Sequence, residues 1–265
     1  MRHTIGIIDS GVGGLTVVRS LVAKGAPFNV VYVGDNANMP YGNRPADEIV
    51  TLTLRMVKLL SEYRVEAVAI ACNTISAVVD DVRPHCGMPL VDIIGPAAAA
   101  LARRGEPDVG LFATEFTVKS GLHAKRVKEL NPAVTVHGVA SPRLAALIDG
   151  AIDDEAAIRD EIAAMLGRLA AMHSVKTVLL GCTHYPIAMK IFTSLAPGIE
   201  FIDPADLQAD AVLRLFPQRG ERTLDAESAP APSLDLVTSG NPESYRPIMA
   251  RLGIPEARSI RRLEV

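Results

Sequence analysis

Short apolar runs recur along this chain, and most are followed by a stretch with helical apolar spacing. The runs predict strands over 4–9, 29–34, 89–94, 108–113, 134–138, 200–202 and 234–239, and within 65–74 and 175–184. Helices are expected from about 15, and over 47–62, 75–82, 96–104, 142–149, 153–173, 204–216 and 242–252, with Pro84 ending the third of them. Such alternation argues for parallel sheets joined by right-handed crossovers. Two of the units are alike. VEAVAIACNT at 65–74 and VKTVLLGCTH at 175–184 each carry a strand into a small residue, a Cys and then polar residues. A Cys in that place sits at the carboxyl end of its strand, where ligands of open parallel sheets collect. The likeness suggests two related halves with one thiol each.

The chain has 265 residues, 49% hydrophobic, which suffices for one large domain or two modest ones. A net charge of −3 and the lack of Trp give neither the basic stripe nor the stacking platform of a nucleic-acid binder. Arg258, Arg261 and Arg262 read as a solvated terminus, and the polar stretch 219–232 as an exposed connection. Three cysteines without regular spacing argue against a disulfide framework and for a reducing compartment, hence a cytoplasmic location. No apolar run approaches the ~18 residues of a spanning helix, so no membrane partner is expected. MRHTIGIIDSG enters a strand at once and does not read as a secretion signal.

The first strand ends in Asp9 and runs into Ser10-Gly11-Val12-Gly13-Gly14. This turn is not a dinucleotide fingerprint, because Thr16 stands where the third glycine belongs, and no Gly-Lys-Ser/Thr follows to make a Walker loop. The loop at 35–45 is dense in Asn, Pro and Gly, with Tyr41 between Pro40 and Gly42, and forms a natural binding lip.

A thiol with a reference pKa of about 8.5 needs activation to act as a base near neutral pH. Asn73 and Thr74 follow Cys72; Thr183 and His184 follow Cys182. Asp9 can exchange a proton with one thiol and His184 with the other. Facing thiols suit removal of a proton from one face of a carbon and its return on the other. A single Cys at a strand end is more often packing; the matched pair in polar company speaks against that. Cys86, in His85-Cys86-Gly87-Met88, lacks such a setting and reads as structural, in a connection. No four-ligand zinc constellation emerges, so no metal is expected. A Cys–His hydrolase stays open, with Cys72 or Cys182 as nucleophile, although it leaves the second thiol without a task.

Several blocks resemble the motifs of the cofactor-independent glutamate racemases. They are Asp9-Ser10-Gly11-Val12-Gly13-Gly14-Leu15, Gly34-Asp35 with Pro40-Tyr41-Gly42, Ala71-Cys72-Asn73-Thr74, Gly181-Cys182-Thr183-His184-Tyr185-Pro186, and Thr238-Ser239-Gly240-Asn241-Pro242. The aspartate and hydantoin racemases share the paired-thiol architecture. The resemblance implies two similar doubly wound α/β domains related by a pseudo-twofold, with the active site in the cleft between them. It places 1–94 plus 206–265 in the first domain and 95–205 in the second. It implies interconversion of L- and D-glutamate by 1,1-proton transfer without pyridoxal phosphate or any other cofactor, supplying D-glutamate for peptidoglycan, in a homodimer. Carried over, Cys72 takes the α-proton of D-glutamate and Cys182 that of L-glutamate, assisted by Asp9 and His184. Ser10, Pro40, Tyr41, Gly42, Asn73, Thr74, Thr117 and Thr183 would hold the substrate beside these four. Thr114 and Asp149 stand beside them as further candidates.

The chain departs from that pattern in places. Thr114, Thr117 and Ser120 match, but His123 stands where the family has Tyr; Ser141 stands where Cys is common, and Asp149 where Glu is usual. These departures keep two alternatives open: racemisation of aspartate or another amino acid, and a non-catalytic binding or regulatory protein of the same fold.

Overall fold

The computed structural model describes residues 2–150, 155–216 and 232–263. Among the described residues ten strands form two sheets, and every pairing is parallel. The first sheet contains β1 (Thr4–Asp9), β2 (Asn29–Gly34), β3 (Ala67–Ile70), β4 (Leu90–Asp92), β9 (Leu234–Thr238) and β10 (Ser259–Arg262), in the order β10-β9-β2-β1-β3-β4 once β5 to β8 are assigned to the second. Those are β5 (Asp108–Ala113), β6 (Thr135–Ala140), β7 (Thr177–Gly181) and β8 (Glu200–Ile202), in the order β6-β5-β7-β8. Within each half, the strands therefore lie second-first-third-fourth. This is the internal repeat that the two Cys stretches announce.

The inner strands β1, β2, β3, β5, β7 and β9 are buried on both faces because both faces are covered. Ile5 and Ile7 of β1 join one continuous core with Phe112 of β5 and Val178 and Leu180 of β7. The helices Leu15–Ala23, Glu155–Met172 and Pro204–Leu215 contribute to it. Ile8 turns to the other face, against Met56 and Leu60 of the helix Ala46–Ser61. Leu111 and Leu179 do the same in the second half, against Ala98 and Leu101 of the helix Ile94–Arg104. No helix among the described residues is long and apolar enough to cross a membrane.

Some elements differ from the sequence reading. Pro84 lies inside the helix Val79–Cys86 and does not end it; Gly87, at φ 66°, does. Pro84 and Asp80, whose carbonyl loses its partner there, are both exposed, so water can satisfy the freed oxygen. The break falls earlier, at Val78 (φ −111°, ψ 19°), which separates a short helix Asn73–Ser76 from Val79–Cys86. Cys86 is thus helical, and it packs in the core. The basic terminus, its arginines exposed as expected, includes an edge strand, from which Arg261 reaches Tyr63; Arg258, just before it, pairs with Asp235. Helices Glu115–Ser120 and Leu122–Leu130 were not expected. All but the last residue of the polar stretch 219–232, and the expected start of a helix at 153, lie outside the described residues.

Candidate active site

Strand register places the two thiols in corresponding positions. Ile8 pairs with Ile70 across β1 and β3, and Ala113 pairs with Gly181 across β5 and β7. Cys72 lies two residues beyond Ile70, and Cys182 one beyond Gly181, so both leave the sheets at the carboxyl edge. Gln208 secures the first edge from the helix Pro204–Leu215: its Nε2 donates to the carbonyls of Ile70 and Val91, each at 2.8 Å. Nothing in the sequence marks that Gln.

Cys72 and Cys182 line one narrow cleft with a cavity volume of about 30 Å³. Ser10, Pro40, Tyr41, Gly42, Asn73, Thr74, Thr183 and His184 line it as well. Thr114 belongs to it too, together with Met39 and Ala145, which sequence reasoning missed. Met39 precedes the Pro40-Tyr41-Gly42 lip across a cis peptide bond. The lip is anchored by Asp35, which accepts a 2.6 Å bond from the Tyr41 hydroxyl and 3.0 Å bonds from Asn38. Gly42 comes so close to Thr114 that a Cβ there would stand 2.8 Å from the threonine Cβ.

The remaining expected residues stand just behind the lining. Thr117 bonds the hydroxyls of Thr114 (3.0 Å) and Thr74 (3.4 Å), and Thr74 meets Thr114 at 3.1 Å, so a hydroxyl cluster bridges the two halves. Asp9 accepts from the Gly11 amide at 2.9 Å and from the Thr183 hydroxyl at 3.1 Å, a second bridge. Gly13 permits this approach: a Cβ on it would meet Thr183 Oγ1 at 2.4 Å and His184 Nδ1 at 2.8 Å. His123 is buried and is not among the lining residues. Burial, seconded by Arg126, pushes its imidazole down to about 3, so the ring is neutral. Ser141 caps the turn before the helix Leu144–Gly150 and donates to Glu161 at 2.7 Å.

Each thiol has a polar side chain close to its sulfur. Ser10 Oγ lies 3.5 Å from the Cys72 sulfur, and His184 Nδ1 lies 4.0 Å from the Cys182 sulfur. The far nitrogen of His184 reaches Asp149 at 3.3 Å. Burial pushes the Cys72 thiol up to about 12, with the Asp9 carboxylate adding to it. Burial likewise raises Asp9 to about 6, although the His184 charge and the Gly11 amide pull it back. For His184, burial opposes the charged form, but the bonds to Asp149 and Cys182 outweigh it and hold the ring well above the usual histidine range. The cleft therefore holds a thiol, a near-neutral carboxyl and an imidazolium, all buried. Asn73 offers both ends of its side-chain amide, buried and without a partner among the described residues. Such a group is a ready contact for a polar ligand.

Known proteins carry the same plan. The family model for Asp/Glu/hydantoin racemases matches residues 5–212. A glutamate racemase of Neisseria meningitidis serogroup B is 34% identical over 253 residues, covering 94% of this chain and 92% of that protein. The glutamate racemase isoform RacE1 of Bacillus anthracis superposes with a TM-score of 0.88 at 26% identity, over 99% of this chain and 98% of the other. The Escherichia coli glutamate racemase, solved in complex with L-glutamate and the activator UDP-MurNAc-Ala, gives 0.79 at 26% identity, over 100% and 99%. With one repeat of strand order, one pair of cysteines and matches along nearly its whole length, this chain belongs to the Asp/Glu/hydantoin racemase family.

Proposed function

We propose that this protein is a glutamate racemase that moves the α-proton between Cys72 and Cys182. The single observation that supports this most is that both sulfurs line one narrow cleft, between hydroxyl-bearing walls. The similarity to glutamate racemases over most of the chain supports the substrate.

In the proposed reaction Cys72 abstracts from D-glutamate and Cys182 from L-glutamate. Cys72 starts as a thiol in the empty cleft and must lose its proton first. Asp9, largely ionised above pH 6, takes that proton in an uphill transfer from a thiol pushed up to about 12, which the positive charge of the bound substrate's ammonium eases. On the other side, His184 holds a proton that can pass to or from the Cys182 sulfur, with Asp149 steadying its outer nitrogen. Ser10, Asn73, Thr74, Thr114 and Thr183 grip the substrate's charged ends, backed by Thr117. Hydrogen bonds to charged groups are worth ~1.5–3 kcal/mol each, so a handful holds a small zwitterion without a cationic clamp. Burial around the carbanion makes the same donors more effective as charge develops. Neither His123 nor Asp149 lines the cleft, so the departures from the family pattern bear on the proton path and the packing behind it. The resemblance further supports a cytoplasmic homodimer that feeds D-glutamate to peptidoglycan.

Incubation with L-glutamate should lose optical rotation and yield D-glutamate without added pyridoxal phosphate. Folded protein that interconverts neither enantiomer, or that turns over aspartate in preference, would overturn the assignment.

A further inference from the structure

Away from the cleft, three metal-binding side chains meet at the opposite end of the second sheet. Asp108 opens β5, His137 is the third residue of β6, and His173 directly follows the helix Glu155–Met172. One donor atom from each lies within 4.8 Å of the other two. His137 Nε2 is 2.7 Å from Asp108 Oδ1, and the His137 and His173 rings stack with centroids 3.4 Å apart and planes 23° apart. The rings lie face to face, so one of them must turn out of the stack for a nitrogen of each to meet at one ion. No other such cluster of His, Cys, Asp and Glu occurs among the described residues.

We propose that Asp108, His137 and His173 form a binding site for a divalent transition metal ion. Two imidazoles and a carboxylate are a donor set for zinc, cobalt or nickel and a poor one for calcium or magnesium. At ligand distances of ~2.0–2.2 Å, donors around a tetrahedral ion lie less than about 4 Å apart, so the trio contracts and one imidazole turns out of the stack as the ion binds. The ion replaces the proton shared by His137 and Asp108, and a water fills the fourth position. Asp108 keeps its side chain 47% exposed, which leaves the ion a way in, while His137 at 13% is held by its surroundings. The ion would tie the starts of two strands to the end of a helix. β5 runs from this trio to Thr114 at the cleft, so the two sites lie about 20 Å apart by strand rise, and the ion takes no part in proton transfer.

The active-site thiols would also bind such ions, so the test uses the Cys72→Ser/Cys182→Ser protein. Titration with Co²⁺ should give one equivalent bound, with visible ligand-field bands and no sulfur-to-metal charge-transfer band. His173→Ala and His137→Ala should each weaken binding by more than the 10–100-fold that loss of an outer partner costs. Asp108→Asn, the mildest change, should weaken it with the circular dichroism spectrum unaltered. Absence of binding in the double-serine protein, or binding unchanged in the histidine variants, would overturn the proposal.

Discussion

The two halves present their sulfurs alike and their proton partners differently. β1 and β5 each have six residues, and their last residues correspond: Asp9 in the first half, Ala113 in the second. The amides that follow the neighbouring strands, Asp35 and Ser141, bond to those two carbonyls at 3.1 and 3.0 Å. So the first half carries its acid on the first strand, beside Cys72. The second half has a methyl there, and takes its acid from His184, two residues past Cys182 and backed by Asp149. The two halves match in where the sulfur leaves the sheet, because strand register dictates it. The relay around each sulfur is free to differ.

Removing a sulfur breaks the comparison most severely. A direct acid–base group is worth about 10²–10⁴-fold in rate, and Cys72→Ser or Cys182→Ser should each cost racemisation that much or more. The halves should still be separable. Cys182→Ser should exchange the α-hydrogen of D-glutamate with solvent but not that of L-glutamate, and Cys72→Ser the reverse, as followed by NMR in deuterated water. Equal exchange of both enantiomers by either variant would contradict the assignment of faces.

Asp9→Asn comes next. Its carboxyl is raised from 3.8 to about 6, so the stability it lends is present below the lower value and lost as pH rises through the upper. Near neutral pH the buried charge costs about 3 kcal/mol, at ~1.4 kcal/mol per pKa unit. Asp9→Asn should therefore raise the melting temperature above pH 6 while activity falls, and the acid limb of the pH–rate profile near pH 6 should disappear. A variant less stable at pH 8 would show that the hydrogen bonds to Gly11 and Thr183 outweigh the buried charge.

The second relay is indirect and the effect smaller. Asp149→Asn should slow turnover on the order of 10-fold, below the effect of a direct group. It should also lower the pH at which His184 loses its proton, seen as a downward shift of the alkaline limb. Asp149→Glu should keep both. Smallest of all, Cys86→Ala should leave kcat and KM unchanged and cost ~1–2 kcal/mol of stability, because Cys86 only fills core.

Strand ends were the legible part of this site. Apolar runs stopping at Asp9, Cys72 and Cys182 could be read directly, since a buried parallel strand tolerates a polar residue only where it leaves the sheet. The Pro40-Tyr41-Gly42 lip was legible for its turn chemistry. Helices over 115–130 were not, because Thr, Ser, Gly and His interrupt the apolar period and packing against the second sheet decides the matter. β10, with one apolar residue in Ser-Ile-Arg-Arg, forms because β9 offers an open edge. Gln208 and the Asp108, His137 and His173 trio gave no local signal, since tertiary folding alone brings their partners together.

The central claim is that one sulfur removes the proton and the other delivers a different one. L-glutamate turned over briefly in deuterated water tests it directly, by mass spectrometry of both separated enantiomers. The account predicts deuterium at the α-carbon of essentially all newly formed D-glutamate, while unreacted L-glutamate keeps its protium. D-glutamate that retains the original hydrogen would mean a single base serving both faces, and would contradict it.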